Sequence, residues 1–213
     1  MPRLERAQIA ARVAQDIPDK AYVNLGIGVP TLVSDYLPSD RHIVLHTENG
    51  MLGMGHAAAE DEIDLDLINA GKIFVTEELG AAYFHHADSF AMMRGGHIDY
   101  CVMGALQVSA RGDLANWRTT SATAIPGVGG AMDLAVGAKH IYVVMDLFTK
   151  TGECKLVDEC SYPLTAPECV ERVYTDVALF ELDGTAVRVA EIFDDVDFAE
   201  LTRLVGLPLV DAR

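Results

Sequence analysis

The stretch Tyr22-Val-Asn-Leu-Gly-Ile-Gly-Val-Pro-Thr31, with His42-Ile-Val-Leu-His46 after it, decides the fold class. Residues 22–25 read as a short strand and Gly26-Ile-Gly28 as a tight turn. Pro30, whose fixed φ suits a first helical turn, opens a helix to about residue 36. Residues 42–46 form the next strand, which ends at Thr47-Glu48-Asn49-Gly50. Strand, glycine turn, helix and strand in that order make the rhythm of a parallel α/β sheet.

Outward from this stretch the pattern continues. Before it, Leu4, Ala7, Ala10, Ala11, Ala14 and Ile17 recur with a helical period, and Pro18 stops the helix. After it, residues 60–66 are acidic and expected to be exposed, and 73–75 are strand-like. Ser89 is expected to cap a short helix through Arg94, with Gly95-Gly96 at its end. Residues 100–103 and 141–144 are apolar strands, and Gly112-Asp113 marks a turn. Between those strands, Pro126-Gly-Val-Gly-Gly-Ala-Met-Asp133 opens a helix that ends near Gly137. Further strands are expected at 172–174, 178–180 and 187–189. Residues 197–205 form an amphipathic helix with Phe198, Leu201 and Leu204 on one face. With no repeat, low-complexity tract or linker, the chain is expected to be one domain over 1–213.

Composition narrows the function. Half of the 213 residues are apolar, enough for a substantial core and too many for extended disorder. Lys plus Arg total 16 against 32 Asp plus Glu, a formal net charge of −16. Such a surface repels phosphate backbones and anionic lipid, so nucleic-acid and membrane roles are not expected. A polyanionic substrate would need a local site that works against this field. The N-terminal Met1-Pro-Arg-Leu-Glu-Arg lacks the apolar run of a secretory signal, and no segment reaches the roughly 18 apolar residues of a membrane span. Cys101, Cys154, Cys160 and Cys169 have no Cys-x-x-Cys spacing and are expected to be free thiols in a reduced, cytoplasmic protein.

Several segments can carry chemistry. Gly26-Ile-Gly28 invites a dinucleotide reading, but Thr31 stands where the third glycine belongs, and the next strand runs into His46-Thr47, with Glu48 only in the turn beyond it. What remains is a tight turn with backbone N–H groups at a helix start. Gly127-Val-Gly129-Gly130 lacks the Lys-Ser/Thr of a phosphate-binding loop, which disfavours nucleotide hydrolysis. Residues alone leave it open between a structural turn and a nest of donors for a developing oxyanion. Glu48 sits where a strand ends, before Asn49-Gly50, and ligands bind at the carboxyl ends of parallel strands. The alternative is one more solvated acid in an acidic chain. His85-His86 with Asp88, and His42, His46 and His56, could suggest a metal site, but the His-x-x-x-His spacing of His42 and His46 falls in an expected strand and not on a helix. A metal is therefore not expected, and loop histidines bonded to backbone are. Trp117 and Met92-Met93 read as core or interface.

The residues around Glu48 and Gly127 carry a resemblance. Residues 22–31, His46-Thr-Glu-Asn-Gly-Met-Leu-Gly-Met-Gly55 and Gly127-Val-Gly-Gly-Ala-Met-Asp-Leu134 resemble the B subunits of class I (3-oxoacid) CoA-transferases. Asp66-Leu-Ile-Asn-Ala-Gly71, Gly112-Asp-Leu-Ala-Asn-Trp117, Lys155-Leu-Val157, Tyr162-Pro-Leu-Thr165 and Arg172-Val-Tyr-Thr-Asp176 match in the same order, so the likeness spans nearly the whole chain. Residues 84–97, Phe-His-His-Ala-Asp-Ser-Phe-Ala-Met-Met-Arg-Gly-Gly-His, are most similar to the 3-oxoadipate branch.

The resemblance implies a three-layer α/β/α domain with a mostly parallel sheet, related to that of ribose-5-phosphate isomerase. It implies that Glu48 is the nucleophile, with Thr47 in place of the usual Ser, and that Gly127, Gly129 and Gly130 hold the substrate oxyanion. Asn24, Gly26, Gly28 and Asn49 become candidate substrate-loop residues. It also implies a separate A subunit in an AB or A2B2 assembly, with acyl-CoA and carboxylic-acid substrates. CoA is then a substrate, and no metal or redox cofactor is needed. Three departures bear on the acceptor: the acidic Thr76-Glu-Glu-Leu-Gly-Ala-Ala82, Leu147-Phe148 where relatives often carry His, and His56 where many carry Pro. They leave the choice open between 3-oxoadipate and acetoacetate. An acyl-CoA hydrolase and a non-catalytic partner subunit are the readings from other classes.

Overall fold

The computed structural model describes residues 3–121, 123, 127–193 and 195–213. Pro126, expected at the head of the glycine-rich segment, falls outside them. Helix α1 (Arg6–Asp16) precedes β1 (Tyr22–Leu25), a 3-10 helix (Val29–Tyr36), β2 (Val44–Thr47), β3 (Met51–Ala57) and β4 (Val75–Tyr83). Helix α2 (His86–Arg94) leads to β5 (Tyr100–Gly104) and the short β6 (Gln107–Ser109) and β7 (Leu114–Ala115). Then come α3 (Ala131–Gly137), β8 (His140–Val144), β9 (Leu156–Val157), β10 (Val170–Tyr174), β11 (Ala178–Leu182), β12 (Val187–Ile192), α4 (Phe198–Val205) and β13 (Leu209–Asp211).

Ten strands form one sheet in the order β13-β12-β11-β10-β8-β5-β1-β2-β3-β4. Its centre, from β10 to β2, is parallel, as is the β12–β13 pair. The β2–β3–β4 and β10–β11–β12 flanks are antiparallel. Central strands are apolar on both faces, as parallel strands must be when helices cover each side. In β8, Ile141 and Val143 join Met93 of α2, Leu134 of α3 and Leu201 of α4. Tyr142 and Val144 point the other way, into a cluster with Ile9 and Val13 of α1 and Val33 of the 3-10 helix. This period-two division makes the three layers.

Two local expectations are corrected. The segment after Gly28 winds as a 3-10 helix, because the Thr31 N–H and hydroxyl both bond Gly28 O and Ser34 Oγ bonds Thr31 O. Ser89 does not cap α2. His85 does, accepting the Ala87 N–H at 3.1 Å, while Ser89 is fully buried one turn further on. Gly53 and Gly55 lie in β3, where the paired strand β4 approaches too closely for a side chain. A Cβ at Gly53 would lie 3.0 Å from Ala81 Cα, and one at Gly55 would strike Thr76 Oγ1. Residues 60–66 are exposed, as expected.

Candidate active site

The carboxyl ends of β1, β2 and β5 point to the same edge of the sheet, where ligands bind in open α/β folds. A cavity of about 360 Å³ opens there. Beyond β2 the chain turns sharply. Gly50 N–H bonds Thr47 O at 3.1 Å, so Glu48 and Asn49 occupy the two central positions of the turn. The Thr47 hydroxyl accepts the Met51 N–H at 3.1 Å and pins the start of β3. Glu48 is thus carried on a short, doubly tied turn, and its half-buried side chain faces the cavity.

Across from it stands the glycine loop. Gly127, Gly129 and Gly130 all line the cavity, as do Asn24 and Gly26. Gly130 is the N-cap of α3, and a Cβ built on it would lie 2.5 Å from Glu48 Oε2 and 2.9 Å from Phe90 Cζ. Glycine is required there by contact with the carboxylate, since its φ of −86° suits any residue. Gly127 contributes differently from the expectation: its N–H is engaged by Trp117 O at 3.2 Å. Among the described residues, the N–H groups of Val128, Gly129 and Gly130 have no such acceptor. Backbone N–H groups left unengaged in this way can donate to an anionic oxygen.

Two expected residues stay outside. Gly28 caps the 3-10 helix with a φ of 95°, its carbonyl turned to Thr31. Asn49 is exposed and donates to Ile68 O at 2.8 Å, tying the Glu48 turn to the loop before β4. Neither lines the cavity. Other lining residues lie far apart in the chain, including Thr31, Asn69, Gly71, Met103 and Asn116. Asn116 is itself fixed, its Nδ2 donating to Gly104 O and its Oδ1 accepting from Thr165 Oγ1. The signal for Thr31, Asn69, Gly71 and Asn116 was their membership of family motifs, whereas Met103 read only as part of an apolar strand; nothing in their local pattern joins them to Glu48.

Beneath the cavity is a buried polar network. Asn24 Nδ2 donates to His46 Nδ1 at 3.0 Å and to His46 O at 3.2 Å. Ser89 Oγ lies 2.9 Å from His46 Nε2 and 3.2 Å from Thr47 O. Burial pushes His46 down from 6.5 to about 4, so it is neutral at pH 7. Glu48 is then the one charged side chain lining the cavity among the described residues. Cations come nearby: a second cavity of about 170 Å³ shares Ile27, Gly104 and Ala105 with the first and is lined by Arg6, Lys155 and Asp146. Burial lowers the Lys155 ammonium, although Asp146 and Asp176 oppose this.

The histidine expectation is corrected in part. His85 bonds backbone, whereas His56 pairs with Glu62 at 3.1 Å and His140 with Glu171 at 2.9 Å. Among the described residues, no three His, Cys, Asp or Glu side chains are grouped to hold a metal ion, and the four cysteines are free thiols. No helix among those residues is long and apolar enough to cross a membrane.

Residues 6–195 match a family model described as Coenzyme A transferase. The chain is 59% identical over 208 residues to the B subunit of 3-oxoadipate CoA-transferase from Pseudomonas putida, covering 98% of this chain and 97% of that one. It is 46% identical over 196 residues to the B subunit of a probable succinyl-CoA:3-ketoacid coenzyme A transferase from Bacillus subtilis, covering 92% and 90%. Among solved structures, the apoenzyme of an acyl-CoA transferase from Escherichia coli O157:H7 matches with a TM-score of 0.75 at 18% identity, over 100% of this chain and 42% of that one. That likeness is one of fold. The chain belongs to the coenzyme A transferase family.

Proposed function

We propose that this chain is the B subunit of a two-subunit CoA-transferase that moves CoA from succinyl-CoA to a 3-oxo acid, with 3-oxoadipate the favoured acceptor and acetoacetate the alternative. One observation carries the proposal: among the described residues Glu48 is the single charged side chain lining the cavity, beside the Gly129 and Gly130 backbone N–H groups, which have no acceptor there. The higher identity to a 3-oxoadipate enzyme than to a succinyl-CoA:3-ketoacid enzyme supports the choice of acceptor.

The chemistry is a double displacement. A Glu48 oxygen attacks the thioester carbonyl; the C–S bond breaks, giving a succinyl–glutamyl anhydride and CoA thiolate. The thiolate attacks the Glu48 carbonyl, releasing succinate and leaving a glutamyl-CoA thioester. The 3-oxo acid carboxylate then attacks that carbonyl, expelling thiolate, which finally attacks the acceptor's own carbonyl and frees Glu48. This is covalent catalysis by a carboxylate, and every electron pair is accounted for without metal or redox cofactor. A carboxylate is a weak nucleophile, so positioning carries much of the load, about 7–11 kcal/mol when the approach is well aligned. Each correctly aimed oxyanion donor adds about 3–4 kcal/mol. Arg6 and Lys155, beside the cavity, supply the local positive field that an anionic CoA ester needs against a net charge of −16.

The single-domain reading of 1–213 belongs with this proposal, as does an AB or A2B2 assembly with an A subunit. The test is intact mass of the complex after adding succinyl-CoA without acceptor. A CoA-sized adduct mapped to Glu48 and discharged by 3-oxoadipate supports the reading. Steady CoA release without an adduct would mean a hydrolase. Neither, from an assembled complex, would point to a different acyl donor or a non-catalytic subunit.

A further inference from the structure

We infer that His46 and Ser89 are positioning residues for Glu48, an inference that rests on the CoA-transfer reading. Counting protons assigns every bond in their network. Ser89 has one hydroxyl proton, and Thr47 O, at 3.2 Å, can only accept, so the proton points there. Ser89 Oγ must then accept from His46 Nε2–H at 2.9 Å. That leaves His46 Nδ1 bare, and it accepts one Asn24 Nδ2–H at 3.0 Å while His46 O takes the other at 3.2 Å. Asn24 Oδ1 accepts from the Cys101 thiol at 3.9 Å. A single tautomer satisfies the whole chain.

The anchor at its end matters for chemistry. The Thr47 carbonyl belongs to the same peptide unit as the Glu48 N–H, so fixing that oxygen fixes the plane from which the Glu48 side chain departs. Thr47 O accepts from both Gly50 N and Ser89 Oγ. Ser89 belongs to α2, His46 and Thr47 to β2, and Asn24 to β1, so three elements are locked together directly under the cavity. Asn24, His46, Thr47 and Ser89 are 0–5% exposed. Apolar side chains would fill that volume without desolvating polar groups; a fully satisfied polar network there favours one geometry over its alternatives. Asn24 consequently offers the cavity only its oxygen, since both of its N–H groups are engaged.

The test uses the complex with the A subunit and three variants: Ser89→Ala, His46→Leu and His46→Gln. Ser89→Ala and His46→Leu should lower kcat on the order of 10²-fold, the effect of an ångström-scale misplacement, with the KM for succinyl-CoA nearly unchanged. His46→Gln, which keeps an acceptor and a donor on one planar group, should recover at least about tenfold of the loss. Amide exchange at Gly50 and Met51 should quicken in Ser89→Ala while the melting curve still shows an assembled protein. Wild-type kcat in Ser89→Ala, a loss confined to KM, or no recovery in His46→Gln would overturn the inference. If the wild-type complex moves no CoA, the functional reading falls instead, and exchange at Gly50 and Met51 alone decides whether the pair holds the turn.

Discussion

Replacing Gly130 by alanine tests the geometry of the proposed reaction with one methyl group. Its backbone conformation accepts alanine, so no main-chain strain confuses the result. The added Cβ would lie 2.5 Å from Glu48 Oε2, whereas ordinary contact begins at 3.4 Å. The carboxylate must therefore retreat by the difference, 0.9 Å, unless the loop gives way. On the other side, Phe90 Cζ at 2.9 Å blocks an easy shift of the new methyl. A displacement near 1 Å costs about 10²-fold in rate, or about 2.7 kcal/mol of barrier. Capping is affected far less, because alanine for glycine at this position costs α3 about 1 kcal/mol or less. The assay is steady-state CoA transfer by the complex, with intact mass to follow the adduct. A fall in kcat of this size with the complex intact and the KM for succinyl-CoA near wild type is the expected result. Unchanged kcat in a folded complex would refute the placement of Glu48 against this loop.

Other expectations are independent of that one. Glu48→Gln should abolish both adduct and exchange while assembly with the A subunit survives; transfer near the wild-type rate would remove Glu48 from the chemistry. Lys155→Met should raise the KM for succinyl-CoA more than it lowers kcat, and the reverse pattern would dismiss Lys155 as a binding group. Leu201→Ala, at a fully buried position on α4, should destabilise by about 2–5 kcal/mol in denaturant unfolding. His46 predicts a pH dependence of stability. Its folded pKa is depressed from 6.5 to about 4, so between those values the unfolded chain binds the extra proton and stability falls as pH falls. The contribution is fully present above 6.5 and declines by at most about 1.4 kcal/mol per pH unit through the window. Unfolding at pH 7.5 and 5 should show His46→Gln less acid-sensitive than wild type; equal sensitivity would assign the effect elsewhere.

Much of this was legible in the chain. The parallel centre announced itself because β5 and β8 are buried on both faces and so are nearly continuous apolar runs, and α4 because its apolar residues repeat at helical spacing. The β3–β4 pairing did not, since Gly53 and Gly55 acquire their meaning only from the close approach of the neighbouring strand. Glu48 and the glycine loop were found through motifs. The division of labour within the loop was not, because whether a given N–H is free depends on Trp117, ten residues earlier in the chain. Ser89 misled for a related reason. A serine before a helical run looks like a cap, and only the arrival of His46 from another strand gives its hydroxyl better partners.

The antiparallel flank has a consequence for handling the chain. Strand β4 is the last in the sheet and nine residues long, and among the described residues no strand neighbours its outer edge. Leu79 on it is fully exposed, and Leu65 and Tyr83 nearby are more than half exposed. Such an edge invites edge-to-edge pairing between copies, and the acidic Glu77-Glu78 beside Leu79 acts as a gatekeeper by mutual repulsion. Self-association of the chain made without a partner should therefore grow with added salt, and neutralising that acidic pair should increase it further.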